Sequence, residues 1–163
     1  MLAMQRVIAA AYKQAPLFSS LAKPSWLALA AHSVENAARL RSLYAITETA
    51  ESQPYRSAAE MFSDLEQGRM LVSNANSVHP LWTVAENVAF RITHDITGHY
   101  AAHCNGAPVA DFSWEGELAA AEWHTSTLPV GIIRDALFTE VVGQAAFFLV
   151  YGTFTDQKVA FLW

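Results

Sequence analysis

The sequence predicts a mainly α, single-domain helical bundle that carries a small two-stranded β element. Three observations lead there. With 53% hydrophobic and 15% charged residues over 163 positions, the chain has enough apolar surface for one well-filled core. Apolar side chains recur at helical spacing over most of its length, in runs rich in Ala and Leu. Before an ambiguous tail only two short stretches have strand character, and no linker, repeat or low-complexity segment divides residues 1–163.

Taken in order, Leu2 to Lys13 and Pro24 to Tyr44 read as helices, with the break between them at Pro16 to Lys23. The second opens on a first-turn proline. Its apolar face is predicted from Trp26, Leu29, Ala30, Val34, Ala37, Leu40 and Leu43 or Tyr44. "YAITETAESQPY" then suggests a strand and a turn. "RSAAEMFSDLEQG" suggests a short helix capped by Ser57 and stopped at Gly68, and "RMLVSN" a second strand. Such a pair cannot stand alone and must lie on the helices.

Beyond the turn-like "NANSVHP", a helix is expected from Thr83, which forms a capping box with Glu86. "HCNGAPVADFSW" reads as a loop and "EGELAAAEWHTS" as a helix. After a break at Pro129 and Gly131, "IIRDALFTEVVGQAAFFLVYG" is the most apolar helix. The tail "TFTDQKVAFLW" fits strand or helix equally.

A net charge of -5, with no run of Lys or Arg, lacks the electrostatic footprint of a nucleic-acid binder, so nucleic acid is not expected as a partner. No membrane partner is expected either. The opening run is broken by Arg6, Lys13 and Pro16, and Val141 to Gly152 falls short of the ~20 apolar residues that a span needs. A single cysteine, Cys104, permits no internal disulfide and makes the cytoplasm the expected compartment. The apolar composition favours a possible homodimer.

Metal-ligating residue types gather between positions 79 and 144: His79, His94, Asp95, His99, His103, Cys104, Glu115, Glu117, Glu122, His124 and Glu140. Imidazole with carboxylate suits Fe, Zn or Mn, and two His with one carboxylate is the set that holds non-haem Fe(II) with open positions. In "FRITHDITGH" the two histidines stand five apart, which is about 140° around a regular helix. They converge only if the helix changes course near Gly98. Asp95, His99 and His103 share one face, and so do Glu117 and His124, leaving more than one ligand set open. Arg91 is a candidate partner for Asp95 or Glu117, or a clamp for a substrate carboxylate. Gln144, one turn after Glu140, is placed to hydrogen-bond that acid. Against this stands the bland reading: a buried histidine is commonly a satisfied core residue, and His32 and His79 are expected to be so.

"HDITGH" resembles the histidine motif of the pterin-dependent aromatic amino acid hydroxylases, whose two histidines bind the catalytic iron with a downstream glutamate in a Phe-Thr-x-Glu-like setting. That resemblance implies His94, His99 and Glu140, in "LFTEVVG", as Fe(II) ligands. It covers about ten residues and one distant acid. Tyr100-Ala101 stands where the family has Val-Pro, and no pterin segment is recognisable. The longer order "FRITHDITGH" to "GELAAAEWH" is similar to uncharacterised phage and bacterial proteins with an RxxHDxxGH helix before a GE helix and a further His. It raises Glu117 and His124 as rival ligands. The His-Asp phosphohydrolase motif "HDIGH" differs by the inserted Thr97 and is not preferred.

The expected function is therefore a mononuclear metal-dependent enzyme of the non-haem Fe(II) type, acting on a small-molecule substrate. His94, His99 and Glu140 or Glu117 would be ligands, and Asp95 would orient a ligand or accept a proton. The alternatives are a zinc hydrolase on the same ligands with Glu117 as general base, and a non-catalytic helical interaction protein.

Overall fold

In the computed structural model, which describes residues 2–162, the order is α1 (Leu2–Gln14), α2 (Lys23–Arg41), β1 (Ala45–Thr49), α3 (Ala58–Glu66), β2 (Arg69–Ser73) and α4 (Val84–His94). A π-helical segment, Asp95–Tyr100, carries α4 into α5 (Ala101–Cys104). Then come α6 (Trp114–Thr127) and α7 (Ile133–Phe138), and a second π-helical segment, Thr139–Gly143, runs into α8 (Gln144–Tyr151). The chain is mainly α, as the periodicity predicts. Among the described residues no helix is long and apolar enough to cross a membrane.

Local chemistry accounts for the boundaries. The Ser57 hydroxyl accepts from the Glu60 amide at the start of α3, and Gly68, at φ +75, takes the left-handed conformation that ends it. Thr83 and Glu86 form the reciprocal capping box at the start of α4. With α3 lying between them, β1 and β2 pair in parallel, from Ala45 opposite Arg69 to Thr49 opposite Ser73.

α2 stops at Arg41, three residues short of the expected end, because the chain turns at Ser42 to enter β1. Its buried face is correspondingly different. Ser25, Trp26, Leu29, Ala30, Ser33, Ala37 and Leu40 are buried, while Val34 and Leu43 point outward. The small Ser25 and Ser33 let neighbouring helices approach, and Ser33 Oγ donates back to the Leu29 carbonyl. The tail is irregular, apart from a parallel bridge between Phe18 and Val159. It is pinned where Lys158 Nζ donates to the Lys13 and Ala15 carbonyls at the end of α1.

Two apolar clusters fill the interior. Trp26, Leu29, Leu137 and Val142 pack α2 and α7 with the second π segment, and Met61, Leu65, Met70, Val72 and Ile92 pack α3 and β2 against α4. Each such side chain, fully buried, contributes about 1.5–3 kcal/mol. α4 belongs to both, giving Phe90 to the first and Val88 and Ile92 to the second. This central position fixes the residues that follow on the same helix.

Candidate metal centre

The awkward spacing of His94 and His99 is resolved by the backbone itself. Asp95–Tyr100 is π-helical, so the turn is widened to an i to i+5 repeat, and residues five apart come to lie one above the other. Gly98 makes room for this wide turn against α6. A Cβ there would stand 2.8 Å from the Ala120 carbonyl oxygen and 3.2 Å from His94 Nδ1. The expectation that the helix changes course near Gly98 is met, by a π segment rather than a kink.

α6 supplies the third group. Ser113 caps its N-terminus, and Gly116 packs so closely on the Asp111 carbonyl that a Cβ would overlap it at 2.0 Å. Glu117 follows, with its carboxylate between the two rings. Oε2 lies 3.6 Å from His94 Nε2, and Oε1 lies 3.5 Å from His99 Nε2. One ligating atom from each of His94, His99 and Glu117 lies within 4.8 Å of the other two. Two donors bound at about 2.1 Å to one ion stand about 3.0–3.5 Å apart, so this spacing suits a shared cation.

The hydrogen bonds on the far side of each ring decide what faces Glu117. His99 Nδ1 is 3.2 Å from the Ala110 carbonyl, which can only accept, so Nδ1 carries the hydrogen and a neutral ring turns a lone pair toward Glu117. His94 Nδ1 is 3.3 Å from His124 Nδ1, and one of these two must donate. With His94 as donor, its Nε2 also presents a lone pair. Either a proton or a cation must then sit among the three groups. Burial alone lowers the His99 pKa, yet the Glu117 carboxylate beside it outweighs burial and raises it. Burial raises the Glu117 pKa, but the two imidazoles overcome that and hold the acid at about 2.

The other expected site residues fall elsewhere. His124 is fully buried and faces His94 rather than the cluster, and burial keeps its ring neutral with a pKa well below the usual value. It braces a ligand candidate instead of joining the ligand set. Glu140, the acid implied by the hydroxylase resemblance, is not in this group. It sits in the second π segment, where Gln144 and Gln157 both donate to Oε1, so Gln144 plays the part its spacing predicts. Burial, opposed by those two amides, lifts the Glu140 carboxyl to about 7.

Arg91 is neither an ion-pair partner of Asp95 or Glu117 nor a free clamp. Nη1 donates to the Ser73 and Ala75 carbonyls and Nη2 to that of Asn76, tying the 73–76 loop to α4. Asp95 remains beside the cluster, its pKa raised by burial and by Glu117, against the opposing pull of His94, His99 and Arg91. His103, Cys104, Glu115 and Glu122 are exposed and take no part. His79 is buried as a structural group. Its Nδ1 accepts from the Leu81 and Trp82 amides, its ring stacks on Trp82, and burial lowers its pKa to about 4.

A cavity of about 990 Å³ opens over this centre. His94, Asp95, His99 and Glu117 line it, together with Glu140, Gln144 and Gln157 and the rings of Phe90, Phe112 and Phe148. Phe112 also meets the His99 ring edge-on, a contact that its aromatic character alone does not separate from core packing. Among known protein families, characterised proteins and solved structures, none matches the chain. Fold and site chemistry define it as a helical domain with a buried two-histidine, one-glutamate cluster able to hold a metal ion.

Proposed function

We propose that the chain is a mononuclear metal-dependent enzyme in which Nε2 of His94, Nε2 of His99 and the Glu117 carboxylate hold one Fe(II) ion, and that its substrate is a small molecule received by the 990 Å³ cavity. One observation carries this reading. Two imidazoles, with His99 Nδ1 committed to a carbonyl and His94 Nδ1 to a neighbouring ring, turn Nε2 toward a carboxylate that they share at 3.5 and 3.6 Å. Three protein donors leave coordination positions open, and the same residues line the cavity. Bound there, the ion would supply a Lewis-acidic and redox-active centre.

The chain's own residues do the rest. Ala110 and His124 orient the ligand rings. Asp95, buried beside the cluster and with its carboxyl pKa raised by that burial, is the general acid-base group. Phe90, Phe112 and Phe148 exclude water from one side of the bound substrate. The lone Cys104, unpaired and exposed, suits work in the reducing cytoplasm.

The position of Asp95 also favours a second reading, a zinc hydrolase. Glu117 is then a ligand, and Asp95 takes over the role of base. Elemental analysis of protein purified without added metal separates the two: about one equivalent of iron supports the first, and zinc the second. Loss of the metal in His94→Ala, His99→Ala and Glu117→Gln is expected in either case. A folded wild type with no metal, its His99 and Glu117 forming a plain imidazolium-carboxylate pair, leaves only the non-catalytic interaction protein.

A further inference from the structure

Large apolar side chains stand in solvent around the cavity that holds the metal cluster. Val78, Phe112, Leu149 and Phe154 all line it, yet they keep 88, 39, 41 and 57% of their surface exposed. A single exposed apolar residue needs no explanation, but several that share one cavity mark a place where apolar matter binds.

α8 builds most of this tract. Val141, Ala145, Phe148 and Leu149 line the cavity, and their spacing of four, three and one residues keeps them along one side of the helix. Val141 is buried, Phe148 half-buried and Leu149 exposed, so the stripe climbs from the interior to solvent over roughly 10–12 Å. Gly152, left-handed at φ +72, ends α8 and turns the chain so that Phe154 stacks on Phe148, with ring centroids 4.4 Å apart and 18° between the planes. The second ring widens the strip.

The charged residues of the cavity are occupied or lie in solvent. Arg91 donates to three carbonyls of the 73–76 loop. Gln144 and Gln157 donate to Glu140, which the Trp26 indole and the His79 ring also face. Arg56 and Asp156 are exposed, so their charges stay in water. The other acids and histidines of the lining, His94, Asp95, His99 and Glu117, form one polar centre. One polar centre beside an apolar strip suits a ligand that is itself polar at one end only.

We propose that the substrate is an amphiphile with a single oxygen-bearing head and a hydrocarbon tail, the tail lying on the strip from Val141 to Leu149 and Phe154. Placing the head at the ion rests on the metal reading. The tail site does not.

Titration calorimetry of the chelator-treated full chain with n-butanol, n-hexanol and n-octanol tests the tail site without any metal. Affinity is expected to rise about two- to fourfold per methylene. In the double variant Leu149→Ser with Phe154→Ser, both at exposed positions, the logarithmic gain per methylene should fall to less than half. Val130→Ser, which removes an equally exposed apolar residue outside the cavity, should leave the gain as it is. Equal affinities for the three alcohols on the wild type would overturn the proposal, and so would a gain that survives the double variant.

The head is tested on metal-loaded protein with acetohydroxamate, hexanohydroxamate and octanohydroxamate, whose hydroxamate end grips the ion. Each is expected to bind more tightly than to chelator-treated protein, with the same gain per methylene. Metal-dependent binding that does not grow with length would defeat the tail site and keep the metal reading. A gain with length that is identical in loaded and chelator-treated protein would do the reverse.

Discussion

Replacing Glu140 by glutamine should change how stability depends on pH, and the size of the change follows from its surroundings. The carboxyl is 4% exposed, and burial outweighs the Gln144, Gln157 and Trp26 side chains and the Arg91 charge that favour its ionised form, lifting its pKa from 4.5 to about 7. A folded-state pKa above the unfolded one means that the native state binds the proton more tightly. The contribution is fully present below pH 4.5 and is lost as pH rises to 7. At about 1.4 kcal/mol per pH unit the whole loss is about 3 kcal/mol, of which about 2.5 kcal/mol falls between pH 5 and pH 8. Glutamine keeps an oxygen for the Gln144 and Gln157 donors but does not titrate. Urea unfolding of chelator-treated protein at pH 5 and pH 8 should therefore show Glu140→Gln gaining about 2.5 kcal/mol on the wild type over that interval. A stability difference that stays constant between the two pH values would contradict a raised Glu140 pKa. It would mean that Glu140 is solvated or already paired.

Three further predictions concern the scaffold of the site. Gly98→Ala should cost about 1–3 kcal/mol, because the added methyl meets the Ala120 carbonyl and the His94 ring, and should weaken metal binding as the π turn is pushed from α6. Thermal unfolding and metal titration read the two effects. His124→Leu should lower metal affinity about 10–100-fold by removing the group that orients His94, whereas His124→Gln, which can still accept from Nδ1, should retain most of it. Equal losses in both variants would assign His124 to packing alone. His79 should stay neutral down to about pH 4, because burial lowers its pKa. Its stabilising contribution is present above pH 6.5 and is lost as pH falls through 4. Histidine NMR titration checks this, and a His79 midpoint near 6.5 would contradict it.

Much of the fold was legible in the sequence because it rests on local chemistry. The Ser57 cap, the Thr83 and Glu86 capping box and the left-handed Gly68 act within four residues of themselves. The burial of Ser33 in place of Val34 was not legible, since it depends on how closely α4 approaches α2. The histidine pair was visible as a pattern. Its convergence was not, because a regular 3.6-residue helix turns the rings apart and nothing in "HDITGH" announces a π turn except the small Gly98. The choice between Glu117 and Glu140 turned on the packing of α6 against the π segment. A seven-residue spacing put Glu117 and His124 on one face but could not assign one to the rings of His94 and His99 and the other behind them.

Anomalous diffraction from crystals of protein purified without added metal decides whether His94, His99 and Glu117 share one ion. A single peak is expected about 2.1 Å from His94 Nε2, His99 Nε2 and a Glu117 oxygen, strongest above the iron edge, with its remaining positions facing the cavity. No peak among those three side chains, or an ion enclosed by four protein donors that include His124, would contradict it.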